Sequence, residues 1–483
     1  MRMDPRLRLR RMIGELDLDP LRALADRITG AQFAALFHPR PRERGISLHL
    51  GPYTTPYLEG DQGSDEARAA RAELLTLKRE LEQELTDLER RAGPLFPSRR
   101  AELCTLTAQF LLAVAPRDLS TTALRTYGLG LIWMFAVDDG VDRVTARIND
   151  LNLPGCRMWY PRVVQRLVER HIASLRAGLR GQPCPALPTD WREAVLVGTE
   201  LPLGRLERGL HSALGWYMGR GMRKLYALGG LLHRCGLLLR ELCARLYKTA
   251  PEALPGEACQ ALVRVAAPFV NILSESLLKK VDEVAAAPTS AEAYYVRHAQ
   301  TSGTRMTFEL GILITGLDRR LQLQARAALQ VERAMEHAYR CVLLANESCF
   351  ARDIGTAEES LVAVLIAEAL REAGPAPFLG TQRAHGQVLR RYGHTPAAFA
   401  AVKRIYADLR SHLFALLDAC EALLGTAPPD AVAVARCIAE TLLLWAVGYH
   451  LLNPTCSRYG DSFAAVAAVL HDDYARFRRV VRR

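Results

Sequence analysis

Leucines recur every three or four residues along residues 66–92, and glutamate or arginine occupies most positions between them. The leucines concerned are Leu74, Leu77, Leu81, Leu85 and Leu88. This spacing places them on one face and predicts a single amphipathic helix. The pattern covers barely three heptads, so packing on the rest of the chain is favoured over a coiled coil.

Apolar positions with a helical period continue through most of the remaining chain. They predict further helices over 99–150, 192–250, 258–285, 291–316, 321–352, 360–371, 396–424 and 430–452. Alanine, leucine, arginine and glutamate dominate and β-branched runs are few, which favours helix. The sequence therefore predicts an all-α protein.

Breaks in these patterns suggest how the chain is organised. Residues 1–95 are predicted to be an N-terminal extension, irregular except for the amphipathic helix. Residues 96–483 are predicted to form one large helical domain, in which the 180–255 segment looks enlarged and opens on a proline-rich loop. After residue 459 we expect a short last helix, with 476–483 as a frayed basic tail.

The apolar run 131–137 ends in three carboxylates, Asp138, Asp139 and Asp142. On a helix, Asp138 and Asp142 lie one turn apart on the same face, where they repel each other unless a cation separates them. Mg²⁺ prefers carboxylate oxygens and is commonly shared with substrate phosphates. The run predicts either a metal-held phosphate at the mouth of an apolar pocket or a solvated helix end.

A second apolar run turns polar after Leu344. On a continuous helix, Asn346, Phe350 and Asp353 would fall within about 60° of one another. Asn346 and Asp353 could then offer two oxygen ligands to one ion, with Arg352 beside them.

Two further pieces complete the candidate chemistry. Near the C-terminus, Trp445 is followed by Arg458 and Tyr459, whose guanidinium and hydroxyl donors suit phosphate oxygens. Between the acidic segments, Arg297 precedes a Thr-Ser-Gly sequence in which Gly303 is a plausible helix break. Phe135, one turn before Asp138, could line an apolar cavity or simply belong to the core.

In this order, the four pieces resemble the bacterial class I terpene synthases over roughly residues 100–465. The Asp138 to Asp142 run resembles their DDxxD motif, Asn346 to Asp353 their second metal motif, and Arg458-Tyr459 their terminal RY pair. The segment from Arg297 to Gly303 resembles their diphosphate-sensor region.

The resemblance implies a single α-helical bundle around an apolar cavity, and a cyclase that needs three Mg²⁺ ions. Its metal ligands would be Asp138, Asp139, Asp142, Asn346 and Asp353. Arg297, Arg352, Arg458 and Tyr459 would hold the diphosphate, and Phe135, Gly303 and Trp445 would contact the substrate. The implied reaction ionises an acyclic prenyl diphosphate, farnesyl or geranylgeranyl diphosphate, cyclises the carbocation and releases diphosphate.

The second metal motif departs from the family pattern. Phe350 stands where the family has serine, and Asp353 comes seven residues after the asparagine where the family acid comes eight after. Ser348, Cys349 or water could supply the middle ligand. In the sensor region, Arg305 is a rival to Arg297.

Composition and charge limit the other partners and cellular locations that the sequence could indicate. The chain has 483 residues and a formal charge of +11, but acids interrupt its basic residues nearly everywhere, which argues against nucleic-acid binding. No uninterrupted apolar run is long enough to span a bilayer, and the N-terminus lacks the apolar core of a secretory signal. Eleven cysteines without a CxxC pair indicate reduced thiols and a cytoplasmic location. A homodimer remains open.

Two alternatives stand beside the cyclase. A helical binding or scaffold protein could retain a decayed metal site. A chain-elongating prenyltransferase would need a second aspartate-rich motif, which this sequence lacks.

Overall fold

The computed structural model describes most of the C-terminal half of the chain and part of the N-terminal half. The described ranges are 65–92, 100–115, 119–135, 287–316, 325–348, 359–374, 377–452 and 472–482, with isolated positions at 238, 241, 242, 245, 350, 354, 465, 468 and 469. Within these ranges the regular structure is helical and no strand occurs, which confirms the all-α prediction.

The described ranges contain the following helices, in chain order. They are α1 (Asp65–Ala92), α2 (Arg100–Val114), α3 (121–135), α4 (Ala291–Thr301), α5 (Thr304–Gly316), α6 (Ala325–Glu347), α7 (Leu361–Ala373), α8 (Gln382–Tyr392), α9 (Pro396–Thr426), α10 (Val432–Leu452) and α11 (Tyr474–Val481). A short 3₁₀ turn at Pro429–Ala431 leads into α10.

Local sequence explains where several helices begin. The Ser290 hydroxyl accepts from the backbone N–H of Ala293 at the start of α4, and the Thr381 hydroxyl does the same for Ala384 in α8. Each satisfies one of the backbone donors that a helix N-terminus leaves without an intrahelical partner. Pro396 occupies the first turn of α9, where its missing N–H costs nothing.

The described part of the chain is built around a bundle of long helices. Helix α6 packs along α9 and α10, and α10 also packs against α2 and α5. Helices α6, α9 and α10 each bury an apolar face in one continuous core. Burial of this surface is the main force that holds the helices together.

Helix α1 packs on the body of the protein, as its pattern favours. It lies along α2, and its five patterned leucines are each at most 4% exposed. Gly128 of α3 allows close approach, because an added Cβ would lie 2.5 Å from Leu81 Cδ2. At the edge of this contact, Arg125 pairs with Glu80 and Glu84 of α1 at 3.2 and 3.6 Å.

Two predictions about helix ends need correction, and one helix was missed. Helix α6 stops at Glu347, not near 352, so the helical-wheel argument that grouped Asn346 with Phe350 and Asp353 does not apply. Helix α8 was not predicted. The basic tail is not frayed over its helical part, because Phe477 of α11 is fully buried against Phe350 and Phe399.

Helix α10 is the one described helix that is long and apolar enough to cross a membrane. Its apolar stretch, Pro429–Tyr449, lies mostly buried among the other helices. A core helix of a folded domain has the same composition.

A buried histidine ties three chain segments together. His385 of α8 is fully buried; its Nδ1 accepts from the Ser360 N–H at 3.2 Å and its Nε2 donates to the Pro288 carbonyl at 3.0 Å. Burial lowers the pKa of His385 from 6.5 to about 4. The imidazole is therefore neutral in the folded protein at neutral pH.

We expect this histidine to make the protein less stable in acid. Above about pH 6.5 the ring is neutral in both states; below it the unfolded chain takes up a proton that the folded state refuses until about pH 4. Across that interval the free energy of unfolding should fall by up to about 3 kcal/mol on this account. His385→Gln retains a donor and an acceptor but cannot titrate, so urea titrations at several pH values should show a shallower acid loss. Equal slopes in parent and variant would contradict the prediction.

Candidate functional site

Aromatic side chains from four helices meet beside the end of α6. Phe110 of α2 lies at the middle, with its ring centroid 5.0 Å from Phe135, 5.3 Å from Tyr449 and 6.3 Å from Trp445. Phe308 of α5 meets Trp445 edge-on at 5.8 Å. We call Phe110, Tyr127, Phe135, Phe308, Trp445 and Tyr449 the aromatic cluster.

The polar atoms of the cluster are hydrogen-bonded. The Trp445 Nε1–H donates to the Tyr127 hydroxyl, which in turn donates to the Thr307 carbonyl at 3.2 Å. Burial raises the pKa of Tyr127, so it stays a neutral phenol. The chain of bonds fixes the Trp445 ring across the interface of α3, α5 and α10.

Asn346 lies at the edge of the aromatic cluster. It is half-buried, and its Oδ1 is 3.5 Å from the hydroxyl of Tyr449, which stacks on Trp445. That contact is long for a hydrogen bond between an hydroxyl and an amide oxygen. The amide oxygen can therefore accept a further, closer partner.

Glu347, directly after Asn346, has a structural role that the sequence did not reveal. It is 5% exposed; Oε1 accepts from the Tyr294 hydroxyl at 2.7 Å and Oε2 from the backbone N–H of Leu361 at 2.8 Å. Leu361 is the first residue of α7, so the carboxylate meets the positive end of that helix. Glu347 thus joins the ends of α4, α6 and α7.

Arg297 lies on the same side of α4 as this network. Its Nη2 is 3.3 Å from Glu359 Oε1, and His298 Nε2 is 3.2 Å from Glu359 Oε2. His298 in turn stacks on Tyr294 at 4.0 Å. The buried Nε of Arg297 has no hydrogen-bond partner within the described part of the chain. The guanidinium can therefore donate to an additional anionic group.

The rival cation, Arg305, has different surroundings. It pairs with Glu332 at 2.8 Å, and both side chains are about half exposed. Among the described residues, Arg305 makes no hydrogen bond or ion pair with Tyr294, Glu347 or the aromatic cluster. By position, Arg297 is the better candidate for a ligand at this site.

Gly303 forms the break between α4 and α5, as predicted. It has a left-handed backbone with φ of +68°, and an added Cβ would lie 2.8 Å from Met134 Cγ. Met134 precedes Phe135, so the break packs directly on the last described turn of α3. The Gly303 carbonyl accepts from the Thr307 N–H at 3.1 Å within the first turn of α5.

We expect Gly303→Ala to lower the free energy of unfolding by about 1–2 kcal/mol from the left-handed backbone alone. Contact with Met134 adds to this loss, although that side chain can adjust. Gly425→Ala is the matched control, because its added methyl group meets open space and alanine suits a helix better than glycine. Urea denaturation of both variants tests the prediction; an equal effect at both positions would refute it.

The described residues of the predicted site are thus linked by contacts. Phe110 joins Phe135 to Trp445 and Tyr449, Tyr449 leads to Asn346, and Gly303 abuts the residue before Phe135. Arg297 connects to the same region through Glu359, His298, Tyr294 and Glu347. The other predicted site residues lie outside the described residues: Asp138, Asp139, Asp142, Arg352, Asp353, Arg458 and Tyr459. Most of the 180–255 segment does too.

The middle ligand of the second metal motif finds no support in the described side chains. Phe350 is 1% exposed and packs on Phe477. Ser348 is 2% exposed, and its hydroxyl donates to the Ala345 carbonyl at 2.8 Å. Cys349 lies outside the described residues.

Asn346 fits the metal-ligand role that the resemblance implies, since the residue is half-buried and the contact of its amide oxygen with the Tyr449 hydroxyl is long. Glu347 does not fit, because both of its oxygens already accept short hydrogen bonds. Among the described residues, no group of three or more His, Cys, Asp or Glu side chains is arranged to bind a metal. The described cysteines, Cys104, Cys341, Cys420 and Cys437, form no disulfide with one another.

The sequence analysis gave no role at the site to Tyr294, Glu347, Glu359, Phe110 or Tyr449. Only Tyr449 had a usable signal, because it follows Trp445 by four residues and so shares its helix face. The partners of Glu347 are 53 and 14 residues away along the chain, beyond the reach of any local pattern.

Comparison with known proteins adds no relationship: no protein-family model and no curated protein matches this sequence.

Proposed function

We propose that the protein is a Mg²⁺-dependent terpene cyclase that converts an acyclic prenyl diphosphate, farnesyl or geranylgeranyl diphosphate, to a cyclic product and diphosphate. One observation carries the proposal. Asn346, the best candidate metal ligand among the described residues, borders the aromatic cluster through Tyr449. A metal-binding oxygen beside an apolar, aromatic region suits a substrate with an anionic head group, which the metal would bind, and a hydrocarbon tail, which the aromatic side chains would contact.

The chain's own residues have distinct parts in this proposal. Arg297, whose buried Nε–H has no partner among the described residues, would bind a diphosphate oxygen. The faces of Trp445 and Phe135 would stabilise positive charge on the hydrocarbon by cation–π attraction, worth up to about 2 kcal/mol in a dry site. The apolar core around them would exclude water that could quench the cation.

Mg²⁺ bound by Asn346 and by the acidic segments Asp138–Asp142 and Asp353 would neutralise the departing diphosphate, which is the chemistry an allylic C–O cleavage requires.

The direct test is product analysis. Geranyl, farnesyl and geranylgeranyl diphosphates are each incubated with the full chain and Mg²⁺, and products are identified by gas chromatography–mass spectrometry. We expect a cyclic hydrocarbon or alcohol from at least one substrate, and none when EDTA replaces Mg²⁺. Failure of all three substrates with folded protein would overturn the proposal.

A second candidate, a helical binding or scaffold protein with a decayed metal site, is favoured by Phe350 and Ser348. Phe350 belongs to the core, and the Ser348 hydroxyl is buried and bonded to the backbone, so neither offers the middle ligand of an intact motif. Calorimetry with Mg²⁺ and inorganic diphosphate separates the two functions. An intact site should bind diphosphate only with Mg²⁺, whereas a decayed site should show no coupled binding.

A further inference from the structure

Two histidines face each other across the contact between α6 and α9, away from the site described above. His337 Nδ1 lies 3.1 Å from His412 Nδ1, with ring centroids 5.4 Å apart and planes at 38°. Both side chains are half-buried. Helices α6 and α9 pack against each other and share one apolar core, and this packing holds the two rings in place.

The surroundings favour neutral rings. Burial lowers the pKa of His412 to about 4, and burial also lowers that of His337. Glu336 and Asp418 are the acids whose charges act on the pair, and Arg340 is the opposing cation. Arg340 is bound by Glu336, whose carboxylate accepts from its Nε at 2.9 Å, and its guanidinium lies 4.2 Å from the centre of the Tyr295 ring.

Neutral imidazole is the form that binds transition metals. A first-row ion bound at about 2.0–2.1 Å places two nitrogens about 2.9 Å apart at a right angle and about 3.3 Å apart at the tetrahedral angle. The observed 3.1 Å lies between these separations. One ion could therefore replace the proton that the two Nδ1 atoms share, with little movement of either helix.

We propose that His337 and His412 form a two-imidazole site for a borderline transition-metal ion, Cu²⁺ or Zn²⁺, that bridges α6 and α9. Water fills the remaining coordination positions, because both side chains are partly exposed. The site does not select Mg²⁺, which prefers oxygen ligands, so it is independent of the proposed catalytic metal. By the usual order of affinities, Cu²⁺ binds more tightly than Zn²⁺.

The test uses the full chain, stripped of metal and titrated with CuCl₂, ZnCl₂ or MgCl₂ in a calorimeter at pH 7.5. We expect one Cu²⁺ site per chain, a weaker Zn²⁺ site and no comparable response to Mg²⁺. His337→Gln and His412→Gln should each weaken Cu²⁺ binding at least tenfold, and the double variant should bind no more tightly than either single variant. His394→Gln, in the turn between α8 and α9, is the matched control and should bind as the parent does.

Pulsed electron paramagnetic resonance of the Cu²⁺-loaded parent provides a readout that does not depend on any variant. It should report two coupled imidazole nitrogens from different residues. A single coupled imidazole, or Cu²⁺ binding that survives both substitutions unchanged, would show a hydrogen-bonded histidine pair only and overturn the proposal.

Discussion

Asn346→Ala is expected to abolish Mg²⁺-dependent turnover of a prenyl diphosphate, as is Asp138→Ala. Alanine removes the amide oxygen that lies next to the aromatic cluster. Loss of a group that merely supports a metal ligand already costs about 10–100-fold in metal affinity or activity, so loss of a ligand itself should cost at least as much. Diphosphate release measured at saturating Mg²⁺, with circular dichroism to verify folding, checks the prediction. Because Asn346 is only loosely held, the variant should unfold at nearly the parent's temperature.

Two further variants separate ligand loss from other causes. Asn346→Asp keeps an oxygen ligand and should retain part of the activity. Arg333→Ala, on the exposed side of the same helix, should leave activity unchanged. If folded Asn346→Ala and Asp138→Ala proteins both turned over substrate as fast as the parent, the assignment of the site would be wrong.

Glu347→Ala should produce the largest loss of stability among the residues near the site. The substitution removes two hydrogen bonds to a buried carboxylate and leaves the Tyr294 hydroxyl and the Leu361 N–H buried without it. Bonds to charged groups contribute about 1.5–3 kcal/mol each, so we expect a loss of about 3–5 kcal/mol. Urea denaturation at pH 7.5 measures it.

Glu347→Gln is the matched variant, because its carbonyl can accept from Leu361 while its amide donates to the Tyr294 hydroxyl, which can also accept. It should lose much less stability than Glu347→Ala. Tyr294→Phe should cost less after Glu347→Ala than in the parent, since the shared bond is already gone. Additive losses in that double variant, or equal losses in the alanine and glutamine variants, would contradict the role given to Glu347.

Together the two predictions distinguish the roles of two neighbouring residues, Asn346 and Glu347. Asn346 should affect activity and hardly affect stability, whereas Glu347 should affect stability first. The boundary between them is the end of α6: the carboxylate of the last helical residue meets α7, and the residue before it remains half-exposed beside Tyr449.

Local sequence predicted the helical elements where a periodic pattern or a breaker was present. The leucines of α1 repeat with a helical period and are buried as that period requires. Gly303 breaks the chain between α4 and α5 because only glycine adopts its left-handed backbone at little cost. Helix α7 begins beside Ser360, and α9 begins at Pro396, near the predicted positions.

Local sequence failed where distant groups decide the outcome. The α6 pattern extends beyond Glu347, but the bonds from Tyr294 and Leu361 hold the carboxylate where the helix ends. The basic character of 476–483 favoured a frayed tail, yet burial of Phe477 against Phe350 and Phe399 outweighs the charge of the arginines around it.

By itself, then, the sequence determined that this protein is helical and where most of its described helices run, because period, caps and breakers act within a few residues. Only the tertiary structure decided which side chains meet. These contacts are the aromatic cluster beside Asn346, the hydrogen bond of the Glu347 carboxylate to the N-terminus of α7, and the paired histidines of α6 and α9. Those contacts join residues many positions apart, and burial and hydrogen bonding select them only after the helices have packed.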